Sequence, residues 1–240
     1  SSYAAPLVAG LTAQLYQKYK QQFTVYPNSA LIKSILCNTA EDLGKSGPDY
    51  IYGFGIPNAR KAVYSIENNL FQENSISQNE TKTHQFNVPT NISKINVTLC
   101  WTDKEGNPIS NKSLVNNLDL KMVTPNGDTI LPWVLNPSQP KNMALRGIDN
   151  LNNIEQITLN SVPAGQYTIV VKGTNIPSTN QDYAISYFLQ ERKLELSYPN
   201  GGEVLDGGNQ VTIRWSENSI DSLAKIEFSN NNGASWQTLV

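Results

Sequence analysis

The chain opens with Ser1-Ser2-Tyr3-Ala4-Ala5-Pro6, and this segment indicates how its first part folds. A serine stands among small residues, a proline follows, and an apolar pattern comes next. Pro6 suits the first turn of a helix, because the N–H that proline lacks has no helical partner there in any case. We therefore predict a helix with Ser2 at its N-terminal end. Its apolar face recurs at spacings of three and four, through Val8, Leu11, Leu15 and Tyr19.

Residues 1–70 keep this helical character. Asn28 or Ser29 is suited to cap a second helix and Asn58 a third, because a short polar side chain accepts a hydrogen bond from an N–H of the first turn. Near residue 70 the pattern changes, and the polar residues 72–82 look like a linker. We place a domain boundary there, at the end of the helical part.

Beyond this linker the apolar period becomes two, which indicates strands. Turn signals such as Pro125-Asn126-Gly127-Asp128 separate them. Residues 71–191 are therefore predicted to form an all-β sandwich. A long excursion rich in Pro and Asn interrupts it at residues 132–150, and such excursions are often functional or pinned by a metal. The predicted strands are residues 94–101, 117–124, 154–159, 166–172 and 182–189.

Residues 192–240 form a third predicted unit. The turn Tyr198-Pro199-Asn200-Gly201-Gly202-Glu203 precedes strands at residues 210–215 and 225–229. We expect the start of an immunoglobulin-like sandwich that stops before it can close. Trp215 and Trp236 fit the core of such a sandwich better than an exposed surface that stacks carbohydrate.

Composition excludes several classes of protein. With 240 residues, 39% of them hydrophobic, the chain has enough apolar side chains to build cores. The net charge of −2 and the lack of a basic stretch give no reason to expect a nucleic acid partner. No apolar run reaches the length of a membrane span. Cys37 and Cys100 fall in different predicted domains, and we expect two buried free thiols rather than a disulfide.

Ser2 is the candidate nucleophile. A serine hydroxyl needs a base to accept its proton and a third group to orient that base. A helix N-terminus supports developing negative charge, because its free N–H groups and the helix dipole point there. From the pattern alone, a serine in this place is more commonly a simple helix cap.

Four segments in order make the chain resemble the subtilisin-like serine proteases. Ser1–Pro6 is similar to the Gly-Thr-Ser-x-Ala-x-Pro signature around the nucleophile, with Ser2 at the nucleophile, Ser1 at the usual Thr and Pro6 at the Pro. The Gly of the signature is absent. The remaining three segments are similar to the helices and the turn that come after the nucleophile in that family, and they are residues 7–10, 32–40 and 52–59.

The resemblance implies an Asp, a His and an oxyanion-hole Asn upstream of the serine. None of these precedes Ser2, and the one histidine, His84, lies downstream on a predicted strand. We interpret His84 as an ordinary strand residue. We expect the chain to begin inside a longer protein, to be inactive alone, and to need the missing N-terminal catalytic portion as its partner. The first 70 residues should then expose apolar helix faces.

A second resemblance covers residues 75 to 190, which are similar to the C-terminal jelly-roll domain of alkaline, oxidation-resistant subtilases and to the P domain of kexin-type convertases. The motifs that carry it lie at residues 97–103, 114–120, 124–127 and 149–155. The resemblance implies a domain that packs on the catalytic domain and stabilises it. Some relatives bind calcium there.

The candidate calcium ligands are oxygen-bearing side chains. Calcium takes several such oxygens from carboxylates, amides and carbonyls. Asn117 and Asp119 share one face of a predicted strand, because side chains alternate along it. The alternative is that these residues serve turns and strand ends. The candidates are Asp103, Asn117, Asp119 and Asp149, with Glu155 as a further acid.

The expected fold class is multi-domain: the C-terminal helices of a subtilisin-type α/β domain (1–70), an all-β jelly-roll sandwich (71–191) and the start of an Ig-like β-sandwich (192–240). The expected function is that of the C-terminal part of a secreted or cell-surface bacterial serine endopeptidase acting on protein or peptide substrates. Residues 196–203, 211–215 and 232–236 resemble modules of secreted bacterial proteins. The alternative is a non-catalytic β-rich binding or spacer protein with a protease-like remnant.

Overall fold

The computed structural model describes residues 2–110, 112–217 and 225–239. It divides into two compact units, Ser1–Gln190 and Glu191–Val240. The helices and the larger sheets all belong to the first unit. The domain boundary placed near residue 70 stays a prediction. The residues on both sides of it belong to the first unit.

Three helices open the chain, and their caps are those expected from the sequence. The Asn28 side chain accepts a hydrogen bond from Ala30 N at 3.0 Å, and the Asn58 side chain accepts one from Lys61 N at 2.9 Å. Both caps satisfy N–H groups that have no partner inside the helix. The helices are α1 (Ala4–Phe23), α2 (Ser29–Thr39) and α3 (Ala59–Glu67).

Two four-stranded antiparallel sheets form the β-rich part of the first unit, in the orders β1-β10-β3-β8 and β2-β9-β4-β5. A two-stranded ribbon, β6-β7, lies in the excursion at 132–150. The strands are β1 (Phe71–Ile76), β2 (Thr81–Val88), β3 (Ile92–Trp101), β4 (Asn117–Val123), β5 (Thr129–Ile130), β6 (Trp133–Val134), β7 (Leu145–Arg146), β8 (Ile154–Asn160), β9 (Gly165–Asn175) and β10 (Gln181–Glu191).

The inner faces of the two large sheets share one hydrophobic core. Leu99 of β3, Leu118 of β4 and Tyr167 of β9 are fully buried in it. Trp101 is buried as well, and its indole N–H donates to Asn116 O at 3.0 Å. All five strands expected in this region are present, so the β-rich interpretation of the residues after 82 is confirmed.

The interpretation of residues 72–82 as a linker is wrong. These residues form most of β1 and the beginning of β2, which are edge strands of the two sheets. An edge strand has one neighbour, so most of its side chains face water and can be polar. Only Ile76 of β1 is fully buried. Because the other residues of β1 are mostly polar, the sequence does not show the alternation of apolar and polar residues that identifies a strand.

The helices pack on the outer face of the β1-β10-β3-β8 sheet. Leu15, Leu31 and Ile35 are fully buried in a second cluster, which includes Cys100 of β3 and Ala184 of β10 from the sheet. Alternate residues of a strand face opposite sides, so β3 serves the sandwich core with one face and the helices with the other. Across the described ranges, no helix has both the length and the apolar character of a membrane crossing.

The second unit holds two small antiparallel ribbons, and none of its described residues is buried. Trp215 is 46% exposed and Trp236 is 60% exposed, so the expectation that they fill a core is wrong for this chain. Two short ribbons cannot enclose an indole. The strands are β11 (Leu194–Tyr198), β12 (Arg214–Glu217), β13 (Glu227–Phe228) and β14 (Gln237–Thr238).

Candidate functional site

Ser2 lies in an exposed turn directly before α1. Tyr3 is the N-cap and makes no side-chain hydrogen bond to the helix, and the first turn carries no acidic residue. The first-turn N–H groups of a helix have no intrahelical partner. Ser2 is therefore next to a helix end that can stabilise negative charge. Ser1, placed by resemblance at the family's Thr, lies outside the described residues.

His84 is engaged within the sandwich. Its Nε2 lies 2.9 Å from Tyr183 Oη, and its Nδ1 hydrogen-bonds the Gln72 side chain. Burial lowers the pKa of His84, and the nearby charge of Lys82 lowers it further. Both ring nitrogens have partners on β1 and β10, so the histidine acts as a strand residue that links edge strand β2 to the other sheet.

An apolar cavity of about 460 Å³ lies beside α1. Its walls come from both long helices and the connector after α2, including Val8, Tyr16, Ile32, Leu36 and Phe54. Nearby on α1, Tyr3 is 87% exposed and Leu7 75%. The expectation of exposed apolar helix faces is confirmed for this part of α1.

Cys37 also lines this cavity, but its thiol is unsuited to be a nucleophile. Burial raises the pKa of Cys37 to about 12 and that of Cys100 to about 11. A thiol reacts as the thiolate, which is scarce at neutral pH for such values. Both cysteines are free, as expected, although Cys37 is partly exposed.

Side chains from the sheet satisfy the C-terminal end of α2. Gln156 of β8 donates to Cys37 O at 3.0 Å, and Asn96 of β3 donates to Asn38 O at 2.9 Å. Thr98 Oγ1 donates to the Asn38 side chain at 2.9 Å. The last carbonyls of a helix have no intrahelical partner, so these contacts anchor α2 to the sheet. Sequence reasoning missed them, because nothing local marks Asn96 or Gln156 as partners of a helix.

The connector between α2 and α3 has a tightly specified turn. Glu41 and Ile56 exchange two backbone hydrogen bonds of 2.8 and 2.9 Å. A Cβ on Gly55 would lie 1.9 Å from Glu41 O, and Gly55 has a φ of +105°. Only glycine fits both conditions. Backbone N–H groups of Tyr52 and Ile51 bind the Asp49 carboxylate and lower its pKa.

Two of the predicted calcium ligands hold loops. The Asp103 carboxylate accepts hydrogen bonds from Val115 N at 2.7 Å and from Asn116 N at 2.9 Å. The Asp149 carboxylate accepts from Leu151 N at 2.8 Å. These contacts are the turn role that the sequence left open as an alternative.

The other candidates carry oxygens without partners. Asn117 Oδ1, Asp119 Oδ1 and Glu155 Oε1 are buried and have no hydrogen-bond partner among the described residues. Glu155 Oε2 accepts from Leu120 N at 2.7 Å. Burial raises the pKa of Glu155 well above its usual range, the Leu120 N–H opposes this, and the charges of Asp119 and Asp149 add to it. Within the described ranges, no three His, Cys, Asp or Glu side chains are grouped as a metal site.

The comparisons with known proteins agree with the resemblance of the first residues to subtilisin-like proteases. The family model described as Subtilase family (Peptidase_S8) matches residues 1–55. The serine protease/ABC transporter B family protein tagA of Dictyostelium discoideum is 29% identical over 206 residues, which are 77% of this chain and 12% of that protein. The related protein tagB of the same organism is 32% identical over 96 residues, or 39% of this chain and 5% of that protein. The chain thus spans a small part of either relative.

Solved structures show only weak likeness. The g-type lysozyme inhibitor PliG of Aeromonas hydrophila has a TM-score of 0.29 at 12% identity and covers 50% of this chain and 84% of its own. The pre-peptidase C-terminal domain of a Bacillus anthracis collagenase has a TM-score of 0.27 at 17% identity and covers 50% of this chain and 90% of its own. Likeness at this level establishes neither fold nor function. Residues 1–55 match the model of the subtilase family, and a β-rich region follows them in this chain.

Proposed function

We propose that this chain is the C-terminal part of a secreted subtilisin-like serine endopeptidase, with Ser2 as its nucleophile. The observation that carries the proposal is the subtilase match over residues 1–55, in which Ser2 lies exposed before a helix whose N-cap side chain makes no bond to it. Ser2 Oγ attacks the carbonyl carbon of the substrate peptide and loses its proton to a histidine. The peptide C–N bond breaks, and water then hydrolyses the acyl-enzyme.

The histidine, the aspartate and the oxyanion-hole asparagine come from an N-terminal catalytic portion. We expect no peptide hydrolysis by the chain alone, because its one histidine, His84, is held by Tyr183 and Gln72 in the sandwich. The exposed Tyr3 and Leu7 and the cavity lined by Val8 and Tyr16 support docking of that portion here. Burial of apolar surface contributes about 25 cal/mol per Å², so this docking also stabilises the helices.

The β-rich part of the first unit acts as a stabilising domain of jelly-roll type. Its support is the pair of four-stranded antiparallel sheets and the anchor that Asn96 and Gln156 provide for α2. The residues after 191 are the start of an Ig-like module. Its turn resembles modules of secreted bacterial proteins, which supports a location outside a bacterial cell.

A hydroxyl-directed fluorophosphonate probe tests the proposal on the full-length protein that contains this chain. We expect labelling at Ser2, located by peptide mass spectrometry, and no labelling of Ser2→Ala. Ser46→Ala is the matched control, since Ser46 is exposed and belongs to the same unit. If the folded full-length protein is not labelled, the protease proposal is overturned. The alternative, a non-catalytic binding or spacer protein, would then remain.

We also propose that calcium stabilises the sandwich. The buried oxygens of Asn117, Asp119 and Glu155 that have no partner among the described residues support the proposal, because calcium binds carboxylate and amide oxygens. Asp103 and Asp149 already bind backbone N–H groups, so their part would be to hold the loops and add charge.

Thermal unfolding in calcium and in a chelator tests this second proposal. A ligand at about 100 times its Kd adds about 2.7 kcal/mol to the free energy of unfolding, so calcium should raise the Tm. The rise should disappear in Asp119→Asn and persist in Asp128→Asn, whose side chain is in an exposed turn. An equal Tm with and without calcium would remove the proposal.

A further inference from the structure

A groove of about 640 Å³ lies along the excursion at 132–150, and Lys45 of the connector after α2 also lines it. Lys45 of the connector donates to Lys141 O of the excursion. The β6-β7 ribbon forms a wall through Val134 and Leu145. The groove lies within the first unit and uses neither Ser2 nor the calcium candidates.

All the ionisable side chains that line the groove are basic: Lys45, Lys141 and Arg146. None of the three forms a salt bridge with a described residue. The chain as a whole has a net charge of −2. The groove, lined by three cations and no carboxylate, is therefore more positive than the rest of the chain. Such a patch attracts anionic groups.

Arg146 is fixed in place. Its guanidinium lies 3.5 Å from the centroid of the Trp133 ring and donates to Leu131 O at 3.1 Å and to Thr158 O. Burial lowers the pKa of Arg146 to about 10, so it remains a cation at neutral pH. A positioned cation loses little side-chain entropy when an anion binds.

The connector also contacts Trp133 of the excursion. Gly47 of the connector has a φ of +82°, and a Cβ there would lie 2.9 Å from the Trp133 ring. The connector therefore packs on the same indole that Arg146 covers. This contact joins the subtilase segment to the excursion of the sandwich.

The groove also has exposed apolar side chains. Leu145 is 72% exposed, Ile148 57% and Met143 53%. Exposed apolar residues that cluster beside positive charge are typical of a surface that binds a protein partner. The neutral amides of Asn136, Gln139 and Asn142 complete the lining, and amides suit the backbone of a peptide.

We infer that this groove binds an acidic peptide segment in which carboxylates alternate with apolar side chains. The carboxylates pair with Lys45, Lys141 and Arg146, and the apolar side chains cover Leu145 and Met143. A peptide accounts for both halves of the groove, whereas a small inorganic anion would leave its apolar half exposed.

Fluorescence anisotropy of a labelled peptide made of Glu, Asp, Leu and Gly, titrated with the full chain, tests the inference. We expect saturable binding that weakens about tenfold or more in the double variant Lys45→Glu/Lys141→Glu, which is a loss of about 1.4 kcal/mol. Lys121→Glu is the matched control, because Lys121 is exposed on β4 outside the groove, and its Kd should stay within about twofold. Far-UV circular dichroism checks that each variant is folded.

Two further arms identify the occupant. Leu145→Ser should weaken binding about threefold or more, since the exposed leucine would be covered by the peptide. An analogue with Lys in place of Glu and Asp should not bind. The inference is overturned if the basic analogue binds equally well, if Leu145→Ser has no effect, or if a single-stranded oligonucleotide binds as tightly as the peptide.

Discussion

Two helix ends in the first unit, the C-terminal end of α2 and the N-terminal end of α1, differ in how their polar groups are satisfied. At the C-terminal end of α2, side chains from β3 and β8 bind the free carbonyls of Cys37 and Asn38. At the N-terminal end of α1, the N-cap Tyr3 gives the helix no hydrogen bond, and Ser2 is exposed. Every α-helix leaves such groups at both ends, so the difference lies in what surrounds them. The buried end is an anchor, and the open end is available for chemistry.

The largest expected effect tests the open end. Ser2→Ala in the full-length protein should lower the rate of peptide hydrolysis about 10⁴-fold or more, because the proposed nucleophile is lost while substrate binding remains. Steady-state kinetics on a chromogenic peptide measures it, with Ser46→Ala as the control. A Ser2→Ala protein with near-normal kcat would show that the open helix end is not the reactive one.

A second prediction probes the anchored end through Cys37. Because burial raises its pKa to about 12, the thiolate fraction at pH 8 is about 10³-fold smaller than in urea, and alkylation by iodoacetamide should be slower in the folded chain by about that factor. The thiolate fraction grows as pH approaches the pKa, so the folded rate should rise up to about pH 12. Mass spectrometry of the quenched reaction measures it. Rapid alkylation at pH 8 would mean that the end of α2 frays.

A third prediction removes one contact of the anchor, the hydrogen bond between Thr98 and the Asn38 side chain. Asn38→Ala deletes the acceptor of the Thr98 hydroxyl and leaves that buried group without it, which should lower the free energy of unfolding by about 1–3 kcal/mol. Urea unfolding measures the change. Asn87→Ala is the control, because Asn87 is exposed on β2, and it should change stability by less than about 0.5 kcal/mol. Equal effects in the two variants would contradict the anchor.

The smallest effect is expected at Leu7. It is 75% exposed, so Leu7→Ser should change the stability of this chain by less than about 0.5 kcal/mol. The same substitution should weaken the docking of the proposed N-terminal catalytic portion on α1. Urea unfolding of the chain and co-purification of the two portions measure the two effects. A large loss of stability in the chain alone would show that Leu7 is already packed.

Local signals predicted the helices well. Asn28 and Asn58 cap α2 and α3 because the cap is a contact between residues two or three positions apart. The central strands were equally readable, since each has a face in the core and a period of two. Edge strands β1 and β2 could not be predicted in this way. Each has one neighbouring strand and mostly exposed side chains, so it contains few apolar residues that would show a period of two.

Contacts between distant segments could not be predicted from local patterns. Gln156 lies 119 positions from Cys37, and nothing in its own strand shows that its amide would serve a helix end. The role of Ser2 was predicted by resemblance rather than by physics, since a serine before a helix is ordinarily a cap. The buried oxygens of Asn117 and Glu155 depend in the same way on how the two sheets meet.

Because strands β3 and β8 supply the hydrogen-bond partners that a further turn of α2 would have provided, the helices and the sandwich share their boundary. Cutting the chain near residue 70 would leave the carbonyls of Cys37 and Asn38 without their side-chain partners in one product. In the other product it would expose Ala184 and Cys100. Each half would then expose groups that are buried or hydrogen-bonded in the intact unit. A unit that keeps both surfaces covered runs through residue 190, so the helices and the sandwich would have to be moved together.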